Sequence, residues 1–135
     1  MPLTSGNKSY KWANATQGII GQIVYVSADS TVDFTTGMTL KPRGVLLNAP
    51  KQNETAQINF PAQGSLVTIL ADGTTDIAVG DRLKTNATGR AIKATKSATQ
   101  VATEAWIVAV AEQAFTTNGD GLIPAEWCVQ EGDWT

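Results

Sequence analysis

The sequence contains no histidine. This removes the side chain most used as a general base, as a neutral metal ligand and as a proton switch near neutral pH. Cysteine occurs once, at Cys128, so neither an intrachain disulfide nor a cysteine-based zinc site can form. Without a histidine beside it, that thiol lacks the usual route to a reactive thiolate and is read as a small hydrophobe next to Trp127. Charge is also sparse. Asp, Glu, Lys and Arg make up 16% of the 135 residues, with a formal net charge of -2. That argues against charge-driven disorder and against the clustered basic surface that nucleic acid requires. No apolar run approaches the ~20 residues of a membrane span. The opening MPLTSGNKSYKW lacks the apolar segment of a secretory signal. The expectation is a protein made in a cytoplasm that engages neither membrane nor nucleic acid.

What the chain does have is Thr, Ala, Val and Gly in short runs between turn signals. The segment from Gly64 to Ala94 shows this most densely. A β-branched run, Ser65 to Leu70, is broken by Ala71-Asp72-Gly73, and Gly80-Asp81 turns the chain again. Leu83 to Thr85 and Arg90 to Ala94 flank a third turn at Asn86 to Gly89. Connections this short leave no room for a helical crossover and predict an antiparallel meander. Upstream, Gln17 to Ser27 is apolar on both faces by period 2 and reads as a central strand. Gly18 and Gly21 mark a bulge or a close backbone approach. Thr31 to Phe34, Val45 to Leu47 and Ala56 to Phe60 read as further short strands, the last stopped by Pro61. Downstream, Glu104 to Ala114 mixes helix-forming Ala with a β-branched cluster. Its short length favours a strand over Ala105 to Ala111. Leu122 to Val129 closes the series. Such spacing predicts an all-β fold: a small single-domain β-barrel or β-sandwich of short antiparallel strands over residues 17–135.

Chemistry-bearing patterns are few. Gly119-Asp120-Gly121 lacks the acidic ligands that would complete a calcium loop, and Asp is an ordinary turn residue. Asp72, Asp76 and Asp81 could share one rim as a weak cation site, against the plainer reading of aspartates at turns. The three Asn-X-Thr sequons, starting at Asn14, Asn53 and Asn86, are coincidences in a Thr-rich chain without a secretory signal. Arg90, Lys93 and Lys96 read as a solvated face. No carboxylate pair is singled out by spacing, so no catalytic residue, metal ligand or cofactor is expected and the chain is not read as an enzyme.

Residues 1–16 show neither period and read as an extended N-terminal arm. The arm carries Tyr10 and Trp12 around Lys11, aromatics that either dock on a partner or fold back on their own domain. Trp106 and Trp127 lie within strands and read as core. Trp12 and Trp134 lie near the two ends of the chain and could together form an apolar contact patch or each cap an end of the barrel. Tyr10, Lys11, Trp12 and Trp134 are thus the candidate contact residues.

Four segments in order then carry a resemblance: Asp76-Ile-Ala-Val-Gly-Asp-Arg-Leu83, Thr88-Gly-Arg-Ala91, Ile107-Val-Ala-Val-Ala-Glu-Gln-Ala114 and Gly119-Asp-Gly-Leu-Ile-Pro-Ala-Glu-Trp127. Together they resemble the capsid decoration, or cement, proteins of tailed bacteriophages. Ala109 stands where that family commonly has glycine. The resemblance covers the chain from Gly64 onward, and Gln17 to Val26 resembles the strand that follows the arm in such proteins. It implies a small β-fold on the outside of an icosahedral head, commonly a homotrimer, that locks neighbouring major capsid proteins together. A carbohydrate-binding or adhesive β-domain on a virion or cell surface is the alternative, since exposed Trp and Tyr stack on sugar rings. A flat row of aromatics on one sheet face would favour that reading.

Overall fold

The computed structural model describes residues 9–35, 40–74, 76–94, 105–116 and 119–132. Among them there is no helix, and the strands form two curled sheets. The first contains β1 (Tyr10–Trp12), β2 (Ile23–Ala28), β3 (Thr31–Phe34), β4 (Gly44–Leu46), β5 (Thr55–Ala56) and β6 (Ile58–Asn59), in the order β5-β1-β3-β2-β4-β6. Only Gln57 separates β5 from β6. One extended stretch therefore pairs with β1 through Ala56↔Tyr10 and with β4 through Ile58↔Leu46, and the sheet returns on itself. The second sheet contains β7 (Leu66–Ala71), β8 (Arg82–Thr85), β9 (Ala91–Lys93), β10 (Ala105–Ala111) and β11 (Gly121–Gly132). It is a closed barrel in the order β10-β11-β7-β9-β8.

The alternation of side chains along β2 and β4 joins the two units. Val24 and Leu46 face the core of the first unit with Trp12, Val32, Phe34 and Ala56. Their neighbours Ile23 and Val45 point the other way, into the barrel core with Val67, Ile69, Leu83, Val108, Ile123 and Trp127. This is why the segment around β2 is apolar on both faces: each face serves a different core, and each large aliphatic side chain so buried contributes about 1.5–3 kcal/mol. β2 lies between β3 and β4, central as its sequence suggests.

Several expectations are corrected in detail. The Gly64–Ala94 strands are present but do not form a meander. β9 lies between β7 and β8 and runs parallel to β7 through Ala71↔Ala91. The β7–β8 connection is long enough to cross the barrel end, where Ile77 bridges Phe115. Turn signals mark where strands stop, not which strand fills the gap between them. The strand expected from Gln17 begins only at Ile23, because Gly21 takes a left-handed φ of +95°. Part of the expected N-terminal arm is a sheet strand: β1 runs parallel to β3 and antiparallel to β5. Residues 1–8 of that arm lie outside the described residues.

The two units share one topology. Each has a single parallel pair (β1–β3, β7–β9), and the remaining strand pairs are antiparallel. Adding 59 to the parallel pair Trp12↔Val32 gives Ala71↔Ala91. Adding 59 to the hairpin pairs Val24↔Phe34, Tyr25↔Asp33 and Val26↔Val32 gives Leu83↔Lys93, Lys84↔Ile92 and Thr85↔Ala91. Further on, Ile23↔Val45 corresponds to Arg82↔Val110, and Leu46↔Ile58 to Ala111↔Ala125. Loop hydrogen bonds follow the same mapping. The Gly21 N–H donates to Leu46 O and the Gly80 N–H to Ala111 O, both at 2.8 Å. The Ala13 N–H donates to Val32 O and the Asp72 N–H to Ala91 O, both at 2.9 Å. The chain is a tandem structural repeat. Across residues 10–35 and 69–94 only Thr16/Thr75, Gly21/Gly80 and Ala28/Ala87 are identical.

The repeat supplies a matched pair of glycines. Gly21 and Gly80 adopt φ +95° and +89°, but a Cβ on Gly21 would lie 2.5 Å from Leu122 Cδ2 and 2.9 Å from Leu70 N, whereas one on Gly80 meets nothing within 4 Å. Gly80→Ala should therefore cost only the left-handed backbone, about 1–2 kcal/mol. Gly21→Ala should add about 1–3 kcal/mol of overpacking. Urea unfolding of the two variants checks the difference.

Candidate interaction surface

The charged residues are used as structural fasteners. Asp72 Oδ1 accepts the Thr74 N–H at 2.9 Å and Oδ2 accepts the Asn86 amide at 2.7 Å. The Thr74 N–H is the largest influence holding the Asp72 carboxyl below its ordinary value of 3.8, with the Thr74 and Asn86 side chains and Arg90 acting in the same direction against desolvation. Asn86 Oδ1 accepts the N–H groups of Thr88 and Arg90. Arg90 Nε reaches Asp120 at 2.7 Å, and Arg90 Nη1 donates to Thr88 Oγ1. Asp81 caps its own turn by accepting the Ala78 N–H at 2.8 Å and sits 3.7 Å from Lys93. Asp72 and Asp81 are thus turn aspartates, while Asp76 is exposed. Among the described residues no group of three or more acidic or cysteine ligands is assembled. Two of the three sequons are turns closed by the asparagine itself: Asn14 Oδ1 accepts the Thr16 N–H as Asn86 Oδ1 accepts that of Thr88.

Of the four candidate contact residues, Tyr10, Lys11 and Trp12 fall among the described residues and differ in placement. Trp12 is 0% exposed and fills the first core; its ring lies 6.0 Å from that of Phe34, and its indole N–H donates to Thr16 O at 2.8 Å. It is therefore no surface contact, because one residue away from Lys11 it points to the opposite face of β1. Tyr10 is half-buried with its ring 5.5 Å from that of Phe60, and Lys11 is exposed. Trp134 lies outside the described residues. Trp127 is core, as expected, but Trp106 is only half-buried, with Lys41 Nζ 5.6 Å from its ring centroid. Cys128 is half-buried beside Trp127.

Exposed apolar surface instead gathers where the two units meet. Ile19, Ile20 (49% exposed) and Leu122 (50% exposed) border an open cleft of about 560 Å³ completed by Gln17, Gly18, Ala49, Leu70, Asp120 and Gly121. The junction beneath it is built on backbone. Leu70 N–H donates to Gly21 O at 2.9 Å, and Ile23 N–H to Gly89 O at 2.8 Å. Gln22, 2% exposed, bridges both units: Oε1 accepts the Ile19 N–H and Nε2 donates to Thr88 O. The Asp72–Asn86–Arg90 network holds the turn that presents Thr88 O and Gly89 O. Sequence periodicity placed Ile19 and Ile20 in a strand with buried faces. The turn at Gly21 brings both to the surface, and Gly21 itself was the available signal.

Two outcomes follow. Trp12→Ala should destabilise the fold by about 3–5 kcal/mol, as loss of a buried aromatic does. Lys11→Ala should stay within about 0.5 kcal/mol; chemical denaturation of both variants checks this. Because the Asp72 carboxyl titrates lower in the folded chain than in the unfolded one, its contribution is full above pH 3.8 and is lost as pH falls below it. Asp72→Asn should therefore be less stable than the parent at neutral pH, with the gap narrowing on acidification through that range, as read from urea midpoints against pH. No protein-family model matches the chain, and no curated protein matches it.

Proposed function

We propose that this chain is a structural virion protein that binds the outer surface of a tailed-phage capsid and stabilises the lattice of its major capsid protein, acting as a homotrimer. The observation that carries the reading is the exposed Ile19–Ile20–Leu122 surface at the junction of the two units. A contiguous apolar surface on a rigid scaffold is a contact site, and burying it against a partner yields about 25 cal/mol per Å² before ordering costs. The resemblance of the second unit to capsid decoration proteins supplies the partner. Rigidity suits the task. The second sheet is a closed barrel and the first returns on itself through the stretch from Thr55 to Asn59, so among the described residues little strand edge is left to pair promiscuously, and repeated modest contacts over a lattice add up by multivalency. The burial of Trp12 and Trp127 in the cores takes two of the aromatics away from a sugar-binding platform.

The test is co-sedimentation of the purified protein with phage heads that lack it. Saturable binding that raises the temperature at which the heads rupture is the expected result, and Ile20→Glu should weaken that binding at least about tenfold with an unchanged unfolding midpoint. A protein that stays in the supernatant at every concentration sinks the reading.

A further inference from the structure

β7 keeps a short strand edge that the barrel does not use. In an antiparallel pair, alternate residues of a strand turn their N–H and C=O groups toward the partner and the residues between them turn theirs away. Ser65 O accepts the Trp127 N–H at 2.8 Å, and the pairs Val67↔Ala125, Ile69↔Ile123 and Ala71↔Gly121 continue that ladder to β11. Leu66, Thr68, Leu70 and Asp72 therefore present their groups on the opposite side. Pro124, which has no N–H, stands across from Thr68, and its carbonyl accepts the Glu112 N–H, away from β7. On the opposite side, the Leu70 N–H donates to Gly21 O and the Asp72 N–H to Ala91 O, both at 2.9 Å, where β9 pairs through Ala71↔Ala91. Leu66 and Thr68 find no backbone partner there among the described residues. Two N–H and two C=O groups are left to solvent. The side chains are open too, with Leu66 69% exposed and Thr68 exposed. Charge, proline and bulges are the means by which strands refuse a neighbour. The run Leu66-Val67-Thr68-Ile69-Leu70 has no charge and no proline, and its register against β11 is unbroken.

We propose that this edge receives an extended segment of the partner protein, which adds a strand beside Leu66–Thr68 and sets an apolar side chain in the cleft at Leu70. The unused groups define the form of the occupant. Donor and acceptor pairs about 7 Å apart on one side of a strand are matched by another extended main chain. The cleft defines its side chain. Leu70, whose N–H ends the edge at Gly21 O, also lines the cleft with Ile19, Ile20 and Leu122. A segment added at Leu66 and Thr68 thus runs on to apolar surface. The edge is bounded by the Gly21 junction at one end and by the turn at Gly64 at the other. A slot this short suits a single chain better than the rim of another folded copy. The inference rests on the capsid reading for the identity of the partner and adds how that partner is gripped.

The experiment follows amide hydrogen exchange across Ser65–Leu70 in the full chain, free and bound to phage heads that lack it. In the free chain the Leu66 and Thr68 amides should exchange fast and those of Val67, Ile69 and Leu70 slowly. On heads the two fast amides should slow at least about tenfold. Thr68→Pro removes an N–H that bonds nothing within the chain and should weaken binding to heads at least about tenfold, whereas Thr68→Val keeps that N–H and should bind as the parent does. The exchange readout needs no variant and decides alone if Thr68→Pro does not fold. Heads that bind the chain without slowing these amides, or that bind folded Thr68→Pro undiminished, overturn the inference and leave the capsid reading standing. A chain that stays in the supernatant overturns both. Slow exchange at Leu66 and Thr68 in the free chain at every dilution overturns the inference as well. So does protection that grows with the concentration of the free chain, which assigns the edge to a second copy.

Discussion

The structure depends on two backbone hydrogen bonds that cross from one unit to the other, Leu70 N–H to Gly21 O and Ile23 N–H to Gly89 O. In the first unit the parallel strands β1 and β3 are bonded directly at the corresponding point, Lys11 N–H to Ser30 O. In the barrel that point is held open and plugged by chain from the first unit. A buried amide or carbonyl left unpaired costs about 1–3 kcal/mol, so the barrel completes its own bonding only with the first unit in place. The left-handed turn at Gly21 makes the plug possible, because a side chain there would collide with Leu122 and the Leu70 backbone. Core packing reinforces the bonds, since Ile23 and Val45 leave the first sheet to enter the barrel core.

Around this junction polar chemistry is spent on shape. Asp72, Asn86 and Arg90 fix the turn that offers Thr88 O and Gly89 O, and Gln22, buried with both ends of its amide engaged, reads that turn from the other side. Buried polar groups with every partner in place select one arrangement over near neighbours more than they add stability. The apolar residues left exposed beside them are therefore presented in a fixed geometry, which suits contact with another rigid surface.

Much of the fold was legible in the sequence, and the failures share a cause. The all-β class, the strand at Ala105–Ala111, the central position of β2 and the close approach at the Gly18 and Gly21 region followed from β-branched runs, period-2 alternation and glycine placement. Each of these is local. The order of β7, β9 and β8 was not legible, because the same turns serve a meander and a barrel with a parallel pair. The repeat was hidden because topology needs only apolar residues at alternate positions and a left-handed residue at each turn. Ser30 at φ 56° does the work of Gly89 at φ 72°, and Val24 that of Leu83. Whether Tyr10 and Trp12 dock on a partner or fold back on their own domain stayed open, because Tyr10–Trp12 is too short a strand to show a period; Trp12 folds back into the first core. The exposed Ile19–Ile20–Leu122 surface was missed because Ile19 and Ile20 are exposed by a backbone angle and not by their composition.

The closure of the first sheet through the stretch from Thr55 to Asn59 has a consequence for biosynthesis. All strands of that unit lie before residue 60, so during synthesis from the N-terminus every pairing partner of the first sheet is available before β7 exists. Ile23 and Val45, however, face outward from that sheet until the barrel forms over them. The emerging second half thus meets an apolar template with Gly21 O already aimed at the place Leu70 will occupy. Vectorial growth then replaces part of the search that long-range strand pairing would otherwise demand.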